Sequence, residues 1–587
     1  MAGSISSAHA WELPPAWLTR EPGSAEAAEL ARAAEREGWR AVGEATIEGA
    51  LAGYERAPDR SDRVYGWLLM GRWAETFGEK ENSFIPRWIE AIDRARVGHP
   101  NMARTYEAAD RGLGDRLRPD FIAWLLTHRT FAESFFELLS PCDYLPTVLS
   151  TLERLHRADP IAFETYAQLA LAIALVYDVP PPPGWPHGQV GPRALPRRLP
   201  DPQAAFDFLV KSDRAGRLLQ RIAYLNASEL KFLVDLAAPF EELAWAQNSL
   251  RVSLAQLPTT YVSVVYRHDR VAANAFDWAG PAYTLPQILE TGGICVDQAY
   301  FATQSAKARG VPTMIFRGAG LDGRHAWFGF LDGNRRWQLD AGRIAEQKLV
   351  TGLAHDPQTW GDLSDHEIRF LSDGFRLSPR FRQALVQEAF ASRYLAAGDA
   401  PAAIRAARRA VNFESRHVDA WETLFAAFDA ARSEPKAVEA ALREASLAFQ
   451  RYPDLNSRFS LRLTASLRAR GETSAADHED RMLARKHQGE RNDLSFDQAM
   501  SELSRALGTQ SLFEQLRVYR TVVDQFGRGE GIAFFDKVVR PFVTHLAQAG
   551  KSADAARALG YARTVLVPAP DSQLDREMVE LAKLLRL

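Results

Sequence analysis

Cysteine is nearly absent: the 587 residues contain two, Cys142 and Cys295. Two thiols so far apart cannot build a disulfide framework, and their spacing matches no local metal-ligand pattern, so no metal is expected. Long apolar runs are missing as well. No stretch approaches the roughly 18 residues that would span a bilayer, and no membrane partner is expected. An excess of one charge is also lacking, because 71 basic and 74 acidic residues are well mixed and sum to −3. Without a basic field, nucleic acid is not an expected partner. The start, MAGSISSAHAWELPP, has neither a charged n-region nor an apolar h-region. Its Ala-His-Ala before Trp11 has the form of the small-residue end of a signal peptide, which sets export beside the cytoplasm as the two expected locations.

What is present is ordinary globular composition, 46% hydrophobic and 25% charged, on a chain too long for a single core. The expected fold class is multidomain, with mainly α-helical regions flanking an α+β core. Residues 1–24 read as a tail. Residues 25–245 show apolar positions at three- and four-residue spacing, as in PDFIAWLLTHRTFAESFFELLS, and read as a helical domain. Its helices are broken by a proline-rich loop at 180–200, whose plain reading is a surface connector and whose other reading is contact with a neighbouring domain or a substrate. Within 246–375 the pattern changes to short β-rich runs, TTYVSVVYR, PTMIFRGAG, HAWFGFL and RRWQLD, around one helix that begins near Cys295. Residues 376–587 return to helix, with repeat-like spacing. With Gly398 as an inter-helix glycine, Ala391, Tyr394, Ala403 and Ala410 occupy the small or aromatic positions of a unit of about 34 residues. Trp421, Leu424, Phe428 and Ala437 continue it, and Phe542, Gly550, Ala555 and Ala562 match again near the end. This tail resembles tetratricopeptide repeats, and a protein partner on it is the expectation that follows.

Chemistry concentrates around Cys295. A thiol attacks as thiolate, and a free cysteine is mostly protonated at neutral pH, so something must favour the anion. The N-terminus of a helix does so through its free N–H groups, and Gly292 and Gly293 allow close approach of backbone or substrate. His325 stands on the first strand of a hairpin, and Asp340 on the second. With Asp332-Gly333 as a two-residue turn, His325 faces Asp340; with Gly333-Asn334, Asp340 faces Trp327 and remains a diagonal neighbour of His325. Either register gives a base and a carboxylate to orient it. Cys142 reads as a packed small residue, and Asp297 and Gln298 as cleft-shaping, with stabilisation of the first helical turn an equal account of Asp297. His355 and His366, in the loop 354–367, match no ligand spacing.

The motifs GGICVDQAYFATQSAKARGVPTMIF, RHAWFGFL and RRWQLDAGR, spread over roughly residues 255–350, resemble the three core motifs of the transglutaminase-like superfamily, a variant of the papain-type fold. The resemblance implies a catalytic triad of Cys295, His325 and Asp340, no cofactor, and a thiol acyl-enzyme acting on a peptide or protein substrate. It also implies an oxyanion site built from the Cys295 N–H and an upstream side chain. Gln287, Tyr283 and Trp278 are candidates for that side chain, with Gln287 further from the nucleophile than the papain-type spacing. Trp327 is a candidate substrate contact, although it and Trp337 have sheet packing as their plainer role. Hydrolysis as a cysteine protease or amidohydrolase comes first. Acyl transfer from glutamine to an amine, or a non-catalytic scaffold whose helices bind a protein, are the alternatives.

Overall fold

The computed structural model describes residues 11–95, 109–280, 282–320, 323–343, 350–487, 511–528 and 531–586, with 491, 494, 503, 504 and 507 between them. The Ala8-His9-Ala10 triplet lies outside the described residues. From Trp11 onward the expected tail is packed structure. Trp11 donates its backbone N–H to Glu37 (2.7 Å) and its indole N–H to Thr46 (3.1 Å), and Leu13 is buried. Helices then run from Ser24–Glu37 to Phe240–Ser249. Ala167–Val176, with the sequence AQLALAIALV, is apolar on every side and buried from Leu169 onward, which makes it the axis of this bundle. Cys142 is buried here, its thiol against the Ala91 carbonyl at 3.7 Å.

The middle of the chain forms an antiparallel sheet of five strands in the order β3-β2-β1-β4-β5. These are β1 (Thr313–Ala319), β2 (Arg324–Leu331), β3 (Trp337–Ala341), β4 (Leu353–His355) and β5 (Asp362–Ser364). HAWFGFL has no polar alternation because both faces of β2 are covered. Ala326, Phe328 and Phe330 pack against Val296, Ala299, Ala302 and Ala306 of the helix Cys295–Ala308. On the other face Trp327 joins Met314, Phe316, Phe232, Leu339 and Ile368.

Two expectations fail locally. TTYVSVVYR contributes no strand to this sheet; it contains the short helix Thr259–Ser263. Thr259 and Thr260 turn their hydroxyls back onto the carbonyls of Gln256 and Leu257, both at 2.7 Å, and these local bonds outcompete a ladder despite the β-branched composition. Residues 354–367 are more than a loop, since they supply parts of β4 and β5 and the start of the helix Asp365–Leu371, capped by the Ser364 hydroxyl on the Glu367 N–H (3.1 Å).

The C-terminal helices come as pairs: Pro379–Ala396 with Ala400–Phe413, Val418–Ala430 with Pro435–Ala448, and Pro453–Ala469 with Thr473–His487. Gly398 takes a left-handed backbone between the first two helices. Arg432, 34 residues on, repeats that conformation in the second pair and Gly471 does so in the third. The region expected as one unit divides in two by its cores. The helices 379–469 share a single hydrophobic core with the N-terminal bundle, whereas residues 511–586 form a separate one around Tyr519, Phe534, Phe535, Phe542 and Met578.

The Cys295–Ala308 helix is fixed to the N-terminal bundle by polar anchors at its far end. Gln304 Oε1 accepts the N–H groups of Ala237 (3.0 Å) and Ala238 (3.1 Å), and the ammonium of Lys307 pairs with the Asp235 carboxylate while donating to its carbonyl at 3.2 Å. Lys307 is 1% exposed. Removing one partner of such a pair strands a buried charge, so Lys307→Met is expected to destabilise the protein by about 3–5 kcal/mol, read as a lower urea midpoint, with Asp235→Asn in the same background recovering most of the loss.

Candidate active site

Cys295 is the first residue of its helix. Two residues on, Asp297 folds back to accept the Ile294 N–H at 2.8 Å, the N-terminal cap of the helix. Gly293 makes this possible: a Cβ there would lie 2.3 Å from the Asp297 Cβ. Asp297 is buried and drawn on from three sides. Arg270 Nη1 donates to Oδ2 at 2.9 Å, and the Tyr283 hydroxyl donates to Oδ1 at 2.9 Å. The Tyr283 oxygen in turn lies 3.0 Å from His187 Nε2. Since the tyrosine proton is committed to Asp297, His187 must donate through Nε2, and its buried Nδ1 has no partner among the described residues. Burial holds the His187 imidazole far below its ordinary value, at about 3.

His187 belongs to the proline-rich segment. That loop is a buttress: Gln189 accepts the Trp278 N–H (3.0 Å), and Trp185 packs edge-on against Trp360 at 5.6 Å. Of the two sequence readings, contact with a neighbouring domain describes it and a plain surface connector does not, while the role of His187 went unread. The available signal was a histidine and a tryptophan inside a proline-rich stretch, PPPPGWPHGQ, residue types that a solvated connector has no use for.

β3 pairs with β2 only between Phe328 and Leu331. Among the described residues no β3 residue pairs with Ala326, and its backbone groups find other partners. The Ala326 N–H points at the Cys295 sulfur, together with the N–H groups of Val296 and Cys295 itself, and the Ala326 carbonyl accepts the Tyr261 hydroxyl at 2.7 Å. Cys295 packs against the cluster that holds Ala326, the residue next to His325. The expectation that the helix N-terminus lowers the thiol pKa holds for the direction of those amide interactions, but not for their sum. Burial pushes the Cys295 thiol up, the Asp297 carboxylate adds to that, and the three N–H groups offset only part of it.

The His325 ring lies near-parallel to Trp327, with centroids 6.0 Å apart, and Nε2 is 2.8 Å from the Gly342 carbonyl. A carbonyl only accepts, so Nε2 carries the proton and Nδ1 is the basic nitrogen. Burial pushes the imidazole below its ordinary value and the nearby Arg343 cation does the same, opposed by the Gly342 carbonyl. Gly342 has φ +86°, and a Cβ there would come within 2.7 Å of the Tyr261 ring. Only glycine suits this position.

Asp340 does not face His325. The hairpin loop is Gly333–Arg335, one residue longer than expected, closed by Asp332 N–H to the Arg336 carbonyl (2.9 Å) and braced by Asp332 Oδ1 on the N–H groups of Asn334 and Arg336. Arg335 takes the left-handed position that Gly333 was expected to fill. Leu331 consequently pairs with Trp337 and Phe330 with Gln338, and a bulge then sets Phe328 against Ala341. The exposed Asp340 carboxylate meets Arg343 at 2.7 Å and Arg369 at 3.8 Å, and among the described residues it makes no hydrogen bond with His325. Arg343 spans from Asp340 to the buried Asp365 (3.2 Å) and lies over the Trp327 ring at 4.7 Å.

Three of the expected oxyanion or substrate contacts are committed elsewhere. Tyr283 donates to Asp297, Trp278 donates its indole N–H to the Ala282 carbonyl (2.8 Å), and Trp327 donates to the Leu339 carbonyl (2.9 Å) from within the sheet core. Gln287, on the helix Leu285–Thr291, keeps its side-chain amide out of any hydrogen bond among the described residues. Gln298 is buried and donates to the Val264 carbonyl at 2.8 Å, which makes it a brace for the helix. His355 stands beside Arg317 and Asp362, and His366 lies 3.6 Å from Asp365. No family model matches the chain, and no curated protein matches it.

The His187 anchor yields a pH prediction. A histidine held neutral down to about pH 3 in the folded protein and titrating near 6.5 when unfolded adds stability that is complete above pH 6.5 and is lost as pH falls from 6.5 towards 3. His187→Gln is expected to flatten the acid limb of a stability-versus-pH curve in that window by up to a few kcal/mol, measured by urea denaturation.

Proposed function

We propose that this chain is a thiol-dependent acyl-enzyme catalyst of the transglutaminase-like type, acting on peptide or protein amide bonds and releasing the acyl group to water. The observation that carries the reading is the convergence at Ala326: a thiol at a helix N-terminus packs against the cluster that holds Ala326, whose amide favours the thiolate and which adjoins a histidine whose Nε2–H is fixed and whose Nδ1 is therefore basic. In this mechanism Nδ1 of His325 takes the thiol proton as Cys295 Sγ attacks the amide carbonyl carbon. The oxyanion forms at the helix N-terminus, where the Cys295 N–H and the Gln287 amide are the donors left to receive it. Collapse breaks the C–N bond, and the His325 proton leaves with the amine. Water, deprotonated by the same Nδ1, attacks the thioester, and the acid departs as the thiol is restored.

Because burial raises the thiol and lowers the imidazole, the resting pair is neutral, and proton transfer accompanies attack. An amine that replaces water at the last step would make the same intermediate a transferase. One observation favours a non-catalytic scaffold instead: Asp340 is spent on Arg343 and Arg369.

An activated ester separates these readings. With p-nitrophenyl acetate, a burst of one p-nitrophenolate per chain and an acetyl group on Cys295 by mass spectrometry are expected. The burst should vanish in Cys295→Ser and slow by roughly 100-fold or more in His325→Ala. Asp340→Asn should keep the rate within about threefold, since the Gly342 carbonyl and not this carboxylate receives the His325 proton. Acetylation confined to Cys142 or to lysines would leave the scaffold reading standing.

A further inference from the structure

The unit 511–586 has its own hydrophobic core, which Leu503 and Leu507 also join, and its other described contacts with the rest of the chain converge on the β1–β2 connection. Ala319 packs against that core, and the Ile532 N–H reaches the Gly320 carbonyl at 3.3 Å. The Arg324 N–H donates to Gln573 Oε1 at 3.0 Å. The Arg324 guanidinium bonds to Glu577 and, at 2.6 Å, to Asp536. Arg540 closes the set, meeting Asp536 at 3.2 Å and also pairing with Glu577. Two guanidinium groups and two carboxylates thus alternate around a junction to which the core side contributes little apolar surface besides Ala319.

Arg324 is the residue before His325 and the first residue of β2. Among the described residues Arg324 to Trp327 have no ladder partner in β3, and β1 on one side, the Tyr261 hydroxyl on the Ala326 carbonyl and the C-terminal unit at the tip hold this end of the strand. A base must be held within a fraction of an ångström of its productive position beside the proton donor for transfer to compete. On the reading of Cys295 and His325 given above, we infer that Arg324 is a positioning residue for His325 and that the unit 511–586 is the clamp acting through it. Held mainly by partly exposed ion pairs, the clamp is a salt-sensitive coupling between the C-terminal unit and the site: at 1 M salt the screening length falls to about 3 Å and the junction loosens while each core stays folded.

The test uses the full chain and two readouts, hydrogen exchange of the 319–328 amides and the acetylation rate of Cys295 with its pH profile. Wild-type protein is expected to lose about tenfold in acetylation between 0.1 M and 1 M NaCl, with faster exchange in 319–328. Arg324→Glu should show both changes already at 0.1 M and no further salt effect. Adding Glu577→Arg restores the attraction between positions 324 and 577 but sets the new guanidinium against Arg540 and leaves the new carboxylate at 324 against Asp536, so it should recover only part of the lost rate. Glu577→Gln, on the opposite side of the junction, should give the intermediate result and serves if Arg324→Glu does not fold. Unchanged exchange in both variants would overturn the clamp. Faster exchange with wild-type acetylation and pH profile would overturn the positioning of His325. Absence of acetylation in the wild-type protein would defeat the catalytic reading itself, while the exchange arm would still report on the junction.

Discussion

A carboxylate taken out of water must have its lone pairs occupied, and Asp297 satisfies that requirement by gathering distant parts of the chain at one point. Its partners are the Ile294 amide that begins the Cys295 helix, Arg270 from the segment before it, and Tyr283, which is itself held by His187 from the proline-rich loop. Each partner is placed by something else: His187 by a loop packed through Trp185 onto Trp360, Arg270 by the carbonyls of Ala275 and Phe276. Were the carboxylate unmet, the helix would begin with free N–H groups beside an uncompensated charge. The direction in which Cys295 points is thus a product of the electrostatic demand of a buried carboxylate.

The same carboxylate has an opposing effect on the chemistry it arranges. It fixes the helix N-terminus, whose amides favour a thiolate, and its own charge disfavours one. Burial decides between them, and it decides for the neutral thiol. On the histidine side burial and Arg343 act alike, again towards neutrality. Arg343 itself is set by Asp340, Asp365 and the Trp327 ring, so the residue expected to stabilise an imidazolium belongs to a group that disfavours it.

The helices and the strands β1 to β3 were legible because their signals are local: period in the helices, unbroken apolar runs in strands covered on both faces, glycine at the turns. Cys295 at the first position of its helix was legible for the same reason. The register of the hairpin was not. Asp332-Gly333 carries a two-residue turn signal, yet the Asp332 side chain prefers to cap two amides ahead of it, and Arg335 accepts the left-handed backbone with its guanidinium paired to Glu229. One extra loop residue and one bulge then moved Asp340 off His325. Long-range polar partners were illegible in principle. Nothing in the spacing of His187 and Tyr283, or of Arg324 and Glu577, announces that they meet.

The N-terminal bundle reaches across the sheet region to pack on the first helix of the C-terminal array. Tyr54 bonds to Gln387, a separation of 333 residues, and Tyr394 to the Leu51 carbonyl, a separation of 343. On a ribosome adding about 5–20 residues per second, the face of the first helices that carries Tyr54 and Leu51 stays uncovered for roughly 20 to 70 seconds after it emerges. Synthesis of the sheet, with its buried strands, falls inside that interval. The nascent chain therefore carries an apolar surface through most of its translation, and the order of assembly is set by the last partner to arrive: the bundle made first is completed only after the segment bearing Cys295 has already been released.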